Sequence, residues 1–450
     1  MQSQKLSTLE KVGFGAGDMA LNVVISSMML IITFFYTDIY GLKPMDLALL
    51  FVLVKVVGAL SDLVVGQMTD SFLTRWGRYR PWLLLLAVPY GVSVFLVFST
   101  PDWGYDAKLV WAYSTYILMT LMTSGVGVSY ISLPSALTSD PQERLSANGY
   151  RLFLAKVGAF MVTIVVPLLA NRWGNGNPAA GYQAAMALMA ALGAFLFLFC
   201  FFTTSERVVY DVKRQPLGEQ IRVLLKNDQW LVLCAACVSG TIGYVIRGSV
   251  AVYYAKYYLH GDAALVSAFL STGVAAAILA MVVSTWVTKF YCKVKLFRYT
   301  QLVVAVLSVL IYVLVEPGDR TLAFVLYFAL SLVVDLHAPV FWSAIAETID
   351  YGQLKTGKRV SGFAFGGISV AQKAGMGLAG GMVGVLLNYF NYQPNQEQGA
   401  LALQGIALML SVIPGFFHFL MGVFMFKYRI SDAYYTTVKE DLQSTEALAR

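Results

Sequence analysis

The sequence predicts an all-α membrane protein of twelve transmembrane helices arranged as two six-helix halves. Three observations predict it. Of the 450 residues, 58% are hydrophobic and only 13% are charged, where an ordinary soluble domain has about 25% charged residues; the mean hydropathy is +0.67. Apolar runs of membrane-spanning length recur twelve times with short connectors between them. Cations gather in every second connector. This composition excludes a cytosolic enzyme, a nucleic-acid reader and a secreted disulfide scaffold.

The runs fall near 12–37, 46–68, 80–99, 107–137, 147–170, 181–203, 229–257, 263–286, 296–315, 321–345, 361–390 and 400–428. A bilayer core needs about 20 apolar residues per helix, so this tally leaves no room for a soluble catalytic domain. The first run is too long and too interrupted for the apolar stretch of a cleavable leader, and is expected to remain as a span. Gly377, Gly380, Gly381 and Gly384 form two small-xxx-small pairs, a spacing that lets helices approach closely in lipid.

The longest connector runs from Thr204 to Asp228 and divides the spans six and six. The expected domains are a bundle over 1–203, a linker over 204–228, a second bundle over 229–428 and a tail over 429–450. Within the linker, Leu217 to Lys226 has the spacing of a short amphipathic helix lying on the membrane surface.

Orientation follows from the cations. The even connectors hold Arg75, Arg78 and Arg80; Arg144; Arg207, Lys213, Arg214, Arg222 and Lys226; Lys289, Lys293 and Lys295; and Lys355, Lys358 and Arg359. The positive-inside rule then puts both termini in the cytoplasm. The +7 net charge reflects this loop bias and is weak evidence for an anionic partner. Four cysteines lie in or beside apolar runs, and Cys234-Ala-Ala-Cys237 is read as packing because nothing charged is near to activate a thiolate.

Two six-helix halves joined by a charged loop form the pattern of a transporter that binds its substrate near the midplane between halves. Between the second and third runs the chain reads Gly66-Gln-Met-Thr-Asp70-Ser-Phe-Leu-Thr-Arg75-Trp-Gly-Arg78-Tyr-Arg80. This resembles the loop motif of the major facilitator superfamily. Glu347-Thr-Ile-Asp350-Tyr351-Gly352 through Lys355, Lys358 and Arg359, together with Phe35-Tyr-Thr-Asp38 and Asn227-Asp-Gln-Trp230, is similar to the glycoside-pentoside-hexuronide:cation symporter family, and the likeness covers nearly the whole chain. The resemblance implies a major facilitator fold and cation-coupled uptake of a sugar or glycoside across the bacterial inner membrane.

Ionisable residues inside spans are functional candidates by default. Asp18, Lys55, Asp62, Lys156, Arg247, Asp335, His337 and Lys373 lie within apolar runs, with Arg151 near the start of one. Lys55 and Asp62 share a helix face two turns apart. Lys156 is turned away from Arg151 and either snorkels or pairs structurally. His337 is read as a packing histidine, and Arg247, in mid-span, as functional.

The resemblance assigns roles to several positions. The family's carboxylate pair on the second span is here Gly58 and Asp62, so half of it is missing. A sodium site left to Asp62, Ser61 and Ser124, with Lys55 nearby, is weak, because hard cations want several charged oxygens. A lone buried carboxylate can still carry a proton, so H+ is favoured over Na+ as the coupling cation.

The expected substrate residues are Asp18, Asn22, Arg151, Arg247, Trp342, Ser369 and Lys373; Trp342 is read equally as a stacking surface or as packing. The expected gate residues are Asp70, Arg75, Arg78, Arg80, Asp350 and Arg359. Because interior cations outnumber acids, an anionic sugar such as a uronide gains weight over a neutral glycoside. The partners expected are a small sugar or glycoside and the bilayer, with no nucleic acid, no metal and a functional monomer. No nucleophile with a base and no phosphate loop appears, so no enzyme is expected. The alternative reading is an uncoupled or differently coupled facilitator of the same fold for another anionic or lipid-like solute.

Overall fold

The computed structural model describes residues 5–71, 74–138, 141–207, 217–288, 290–358 and 360–448. Among them every regular element is helical, and the single isolated bridge, Thr74 with Gly77, belongs to a connector turn. Among the described residues twelve helices are long and apolar enough to cross a membrane: Thr8–Leu30, Pro44–Gly66, Arg80–Val97, Tyr105–Pro134, Ser146–Gly174, Pro178–Thr203, Asp228–Tyr258, Ala263–Ser284, Lys293–Leu314, Arg320–Thr356, Phe363–Tyr389 and Ala400–Phe426. They are called spans 1 to 12 below.

The chain packs as two compact units. The first contains Met1–Val212, Ser249–Ser271 and Gly384–Ala402; the second contains Lys213–Gly248, Thr272–Val383 and Leu403–Arg450.

In the first unit, span 1 starts at a capping box: Ser7 Oγ accepts the Glu10 N–H, and the Glu10 carboxylate accepts the Ser7 N–H. Its glycines are needed for close approach. A Cβ at Gly13 would sit 1.7 Å from Thr203 Oγ1, and one at Gly17 would sit 2.4 Å from the Tyr130 ring. Tyr130 lies flat under Phe14, with ring centroids 5.1 Å apart, and its hydroxyl donates to the Phe14 carbonyl at 2.7 Å.

Prolines inside spans leave the carbonyl four residues earlier without its helical donor, and in a bilayer that carbonyl has to find another. In each unit a polar side chain of another span takes the role. Pro167 frees the Thr163 carbonyl, to which Ser267 Oγ donates at 3.0 Å in the first unit. Pro414 frees the Leu410 carbonyl, to which Arg247 Nε donates at 3.1 Å in the second.

Several ends differ from the sequence expectation. Span 1 carries on past Leu30 and closes in a π-helical turn, Phe35–Ile39, and span 7 closes in another, Tyr254–Tyr258. Span 10 is two helices, Arg320–Asp335 and Ala338–Thr356, because Pro339 starts the second one. Span 12 breaks at Ser411, just before Pro414. The amphipathic segment forms a helix over Leu217–Leu225, and within the tail a further helix forms, Asp432–Leu448, which the sequence reading does not assign.

Candidate functional site

Within the first unit, three expected substrate residues come together. Asp18 and Arg151 form an ion pair at 3.4 Å with side chains 15% and 27% exposed. One turn on from Asp18, Asn22 is half-buried and donates its amide to the Asp18 carbonyl at 2.9 Å. The sequence places Asp18 and Asn22 on one helix face by their spacing of four. The partnership with Arg151, which crosses from span 1 to span 5, is a tertiary contact. The group presents a carboxylate, a guanidinium and an amide oxygen, a set that can donate to and accept from sugar hydroxyls.

The residues assigned to coupling lie on spans 2 and 4. Ser124 is buried and its hydroxyl reaches the Gly58 carbonyl at 3.5 Å. Asp62 is one turn beyond Gly58 on the same helix and is half-buried, as are Ser61 and Lys55. Gly58 leaves little room for a larger side chain, since a Cβ there would meet Thr120 Cγ2 at 3.0 Å.

The second unit treats its candidates differently. Arg247 is only 5% exposed, and its guanidinium is committed to the Leu410 carbonyl and to Ser308 Oγ at 3.2 Å. The guanidinium thus satisfies a carbonyl that Pro414 strands. Trp342 is 51% exposed and meets the Phe341 ring edge-on. Ser369 is exposed and donates to its own helix at the Phe365 carbonyl, and Lys373, one turn later on the same face, is half-buried. His337 packs as expected, 4.8 Å from the Phe297 ring, with Nδ1 on the Val334 carbonyl. Cys237 is buried beside the Ile368 carbonyl, in keeping with a packing role.

The arginine-rich connector is organised by a residue that sequence reasoning missed. Glu206 accepts the main-chain N–H groups of Arg78, Tyr79 and Arg80 at 2.8, 2.7 and 2.8 Å. Gly77 has φ +109°, and a Cβ there would strike the Glu206 carboxyl carbon at 2.4 Å. Arg80 donates to the Phe201 carbonyl at 2.7 Å, and the Arg75 guanidinium lies over the Trp76 ring. The sequence singles out Asp70 as the acid of this loop; the Asp70 side chain lies outside the described residues. The only sequence-level signal for Glu206 is its place as an acid among polar residues just after span 6.

In the second unit the matching end is tied by the two motifs around Asn227 and Glu347. Asn227 donates to the Thr348 carbonyl at 2.7 Å and accepts the Trp230 N–H, while Trp230 Nε1 donates to the Ala364 carbonyl. Asp228 pairs with Lys355 at 2.6 Å and accepts the Tyr351 hydroxyl. Lys293 bridges Glu347 and Asp432. Asp350 accepts the Tyr435 hydroxyl of the tail helix at 2.6 Å. Its expected gate companion, Arg359, lies outside the described residues. The recurring residue strings therefore act here as a hydrogen-bonded clasp.

A second missed group sits at the opposite end of span 1. The Asp38 side chain is fully buried, and the hydroxyls of Tyr257 and Tyr392 both donate to it, the latter at 2.6 Å. Thr37 Oγ1 lies 2.7 Å away, and Lys256 stands at 3.5 Å, one-third exposed. Asn395 donates to the Asp38 main-chain carbonyl. Burial, together with the Tyr253 and Asp38 beside it, pushes the Tyr392 phenol far above its ordinary range, so it remains a donor. The sequence offers the Phe35-Tyr-Thr-Asp38 string, but Lys256 and Tyr257 come from the end of span 7 and Tyr392 from the connector before span 12, all distant in the chain.

Three comparisons bear on this geometry. The family described as MFS/sugar transport protein matches residues 13–432. The chain is 30% identical over 452 residues to the inner membrane symporter YicJ of Escherichia coli strain K12, covering 100% of this chain and 96% of that protein. It is 31% identical to the isoprimeverose transporter of Lactiplantibacillus pentosus, covering 90% and 85%. Among solved structures, one described under substrate recognition in proton dependent oligopeptide transporters superposes with a TM-score of 0.70 at 12% identity, covering 94% of this chain and 98% of that one; at that identity it speaks for the fold alone. The fold is that of the major facilitators, and the chain belongs to the MFS/sugar transport protein family, a family of membrane transporters and not of enzymes.

Proposed function

We propose that the protein imports a sugar or glycoside across a bacterial inner membrane by alternating access, coupled to protons through Asp62, working as a monomer with both termini in the cytoplasm. Family membership and the names of the relatives support sugar transport. The observation that carries the coupling half of the reading is the Gly58 carbonyl turned to Ser124, one helical turn before Asp62. A single carboxylate with two hydroxyls offers too few charged oxygens for tight sodium binding and suffices to load and release one proton.

In the first unit Asp18, Asn22 and Arg151 are proposed to receive sugar hydroxyls; the second unit's own candidates are Ser369 and Lys373 as polar groups and Trp342 as a flat aromatic face. Arg75, Arg78, Arg80 and Asp350 shape the connectors that exchange contacts during the cycle. Because Asp18 neutralises Arg151 and the Arg247 donors are taken up by a carbonyl and a hydroxyl, fewer cations are left to meet a carboxylate than the residue tally suggests, which favours a neutral glycoside.

A uronide is the second reading. Lys55 and Lys156 are half-buried in their spans with no carboxylate at ion-pair distance among the described residues, and each would gain from an anionic substrate. The test is uptake into proteoliposomes of a matched pair, methyl glucoside and its glucuronide, under an imposed proton gradient without sodium. Preference for the glucoside supports the first reading and preference for the glucuronide the second. Uptake of neither would remove sugar import.

A further inference from the structure

Beside the Asp38 cluster the first unit holds a half-open cavity of about 550 Å³. That volume is within the range of small-molecule sites, about 300 to 1,000 Å³. Its walls come from the end of span 1, the 174–178 turn between spans 5 and 6, the start of span 8 and Asn395 in the connector before span 12. On the orientation proposed above, all of these lie at the outer face.

The lining has the chemistry of a carbohydrate site. Asn171 and Asn177 bring carboxamides, and Asp262 and Lys256 bring charged groups, while the Asn395 amide is held between the Asp38 carbonyl and Lys256. Asn177 accepts the Ala180 N–H through its carbonyl oxygen, and its NH₂ group can still donate to a ligand. Asp262 likewise accepts the Leu265 N–H through one carboxylate oxygen. Phe34 and Tyr182 form an aromatic wall, with ring centroids 6.5 Å apart. Sugars present both polar hydroxyls and apolar C–H faces, and this mixture of amides and rings meets both.

The charge count selects among sugars. Asp38 and Lys256 cancel, because they form a pair at 3.5 Å, and Asp262 remains. A uronide would bring its carboxylate toward that acid, whereas a neutral glycoside meets no repulsion.

We propose that this cavity is a second carbohydrate site, holding a neutral glycoside at the outer mouth of the transporter, distinct from the group around Asp18 and Arg151. The proposal rests on the sugar-import reading. Its consequence is capture: a glycoside held there is already desolvated on one side when the transport path opens.

The test uses the full chain in right-side-out membrane vesicles. Ala179→Cys, or Ala263→Cys if the first variant does not insert, is labelled with a membrane-impermeant maleimide, with the unsubstituted chain as background. The probes are methyl β-glucoside, methyl β-glucuronide and mannitol as an osmotic control. At ten times its dissociation constant the glucoside slows labelling about tenfold by simple occupancy; the glucuronide and mannitol leave the rate unchanged. The same protection is expected in an added Arg151→Ala background, where the deeper group is disabled.

Loss of protection with Arg151→Ala would assign it to a conformational change from the deeper site and overturn the proposal. Equal protection by the glucuronide would overturn the selection argued from Asp262. Uptake of the glucoside without protection would overturn the outer site alone. Absence of both uptake and protection would overturn the import reading and the outer site with it, whereas protection without uptake would uphold the outer site and count against import.

Discussion

Asp38 gives the most quantitative prediction. Its carboxylate has no exposure and receives the Tyr257 and Tyr392 hydroxyls and the Lys256 ammonium. Hydrogen bonds to a charged group contribute about 1.5 to 3 kcal/mol each, and removing one partner of a buried pair costs about 3 to 5 kcal/mol. Lys256 is 32% exposed and can turn to water, so its share is discounted. The two tyrosines can recover part of their loss from water entering the gap. The net for Asp38→Ala is then about 3 kcal/mol, or about a hundredfold in an equilibrium constant.

Since the cluster joins the ends of spans 1 and 7 with the segment before span 12, the loss should appear as opening of that end. The assay is impermeant maleimide labelling of Val252→Cys, which lines the neighbouring cavity, in right-side-out vesicles. We expect labelling to rise by one to two orders of magnitude in Asp38→Ala and by less in Asp38→Asn, which keeps one acceptor oxygen. Tyr392→Phe removes a single donor and is the milder control. Because burial holds that phenol protonated, its effect should be flat between about pH 6 and 9. Labelling and uptake both unchanged in Asp38→Ala, with the protein present at normal levels, would refute the claim that the cluster holds this end together.

The connector after span 2 should depend on Glu206, which accepts three main-chain N–H groups. Glu206→Ala is expected to cost about 2 to 4 kcal/mol locally, seen as faster proteolysis within 74–80 and a lower maximal uptake rate. In the sugar group, Arg151→Ala should raise the KM for uptake tenfold or more by leaving Asp18 without its ion pair, about 1.4 kcal/mol or more of lost binding, and Arg151→Lys should recover part of it. In the second unit, Asn227→Ala removes the bridge to the Thr348 carbonyl and the cap on Trp230. A loss of about 1 to 3 kcal/mol should appear as a lower melting temperature in detergent, while the KM stays unchanged.

The twelve spans were legible because lipid demands long apolar helices, and their recurrence is a one-dimensional property of the chain. The broken ends were less so. The bends of spans 10 and 12 follow from Pro339 and Pro414, but how a stranded carbonyl is repaired depends on which side chain of another span reaches it. Arg247 illustrates the limit: the cost of a mid-span charge is visible in the sequence, and its contact with the Leu410 carbonyl is not. Asp18 and Asn22 could be grouped by helical spacing, whereas Glu206 and the Asp38 cluster are assembled from segments far apart in sequence. The motif around Asn227 was visible as a string, and its physical meaning was not: four consecutive side chains, Asn227 and Asp228 tied to span 10, Gln229 to the segment after span 12 and Trp230 to span 11.

The central claim is that Asp62 carries the coupling proton for sugar import. The most direct measurement compares the unsubstituted chain with Asp62→Asn in proteoliposomes, following a radiolabelled neutral glycoside under an inward proton gradient, under an inward sodium gradient, and in counterflow with no gradient. Proton-driven accumulation that is absent in Asp62→Asn, with counterflow retained and sodium without effect, is the predicted result. Accumulation driven by sodium, or proton-driven accumulation undiminished in Asp62→Asn, would contradict it.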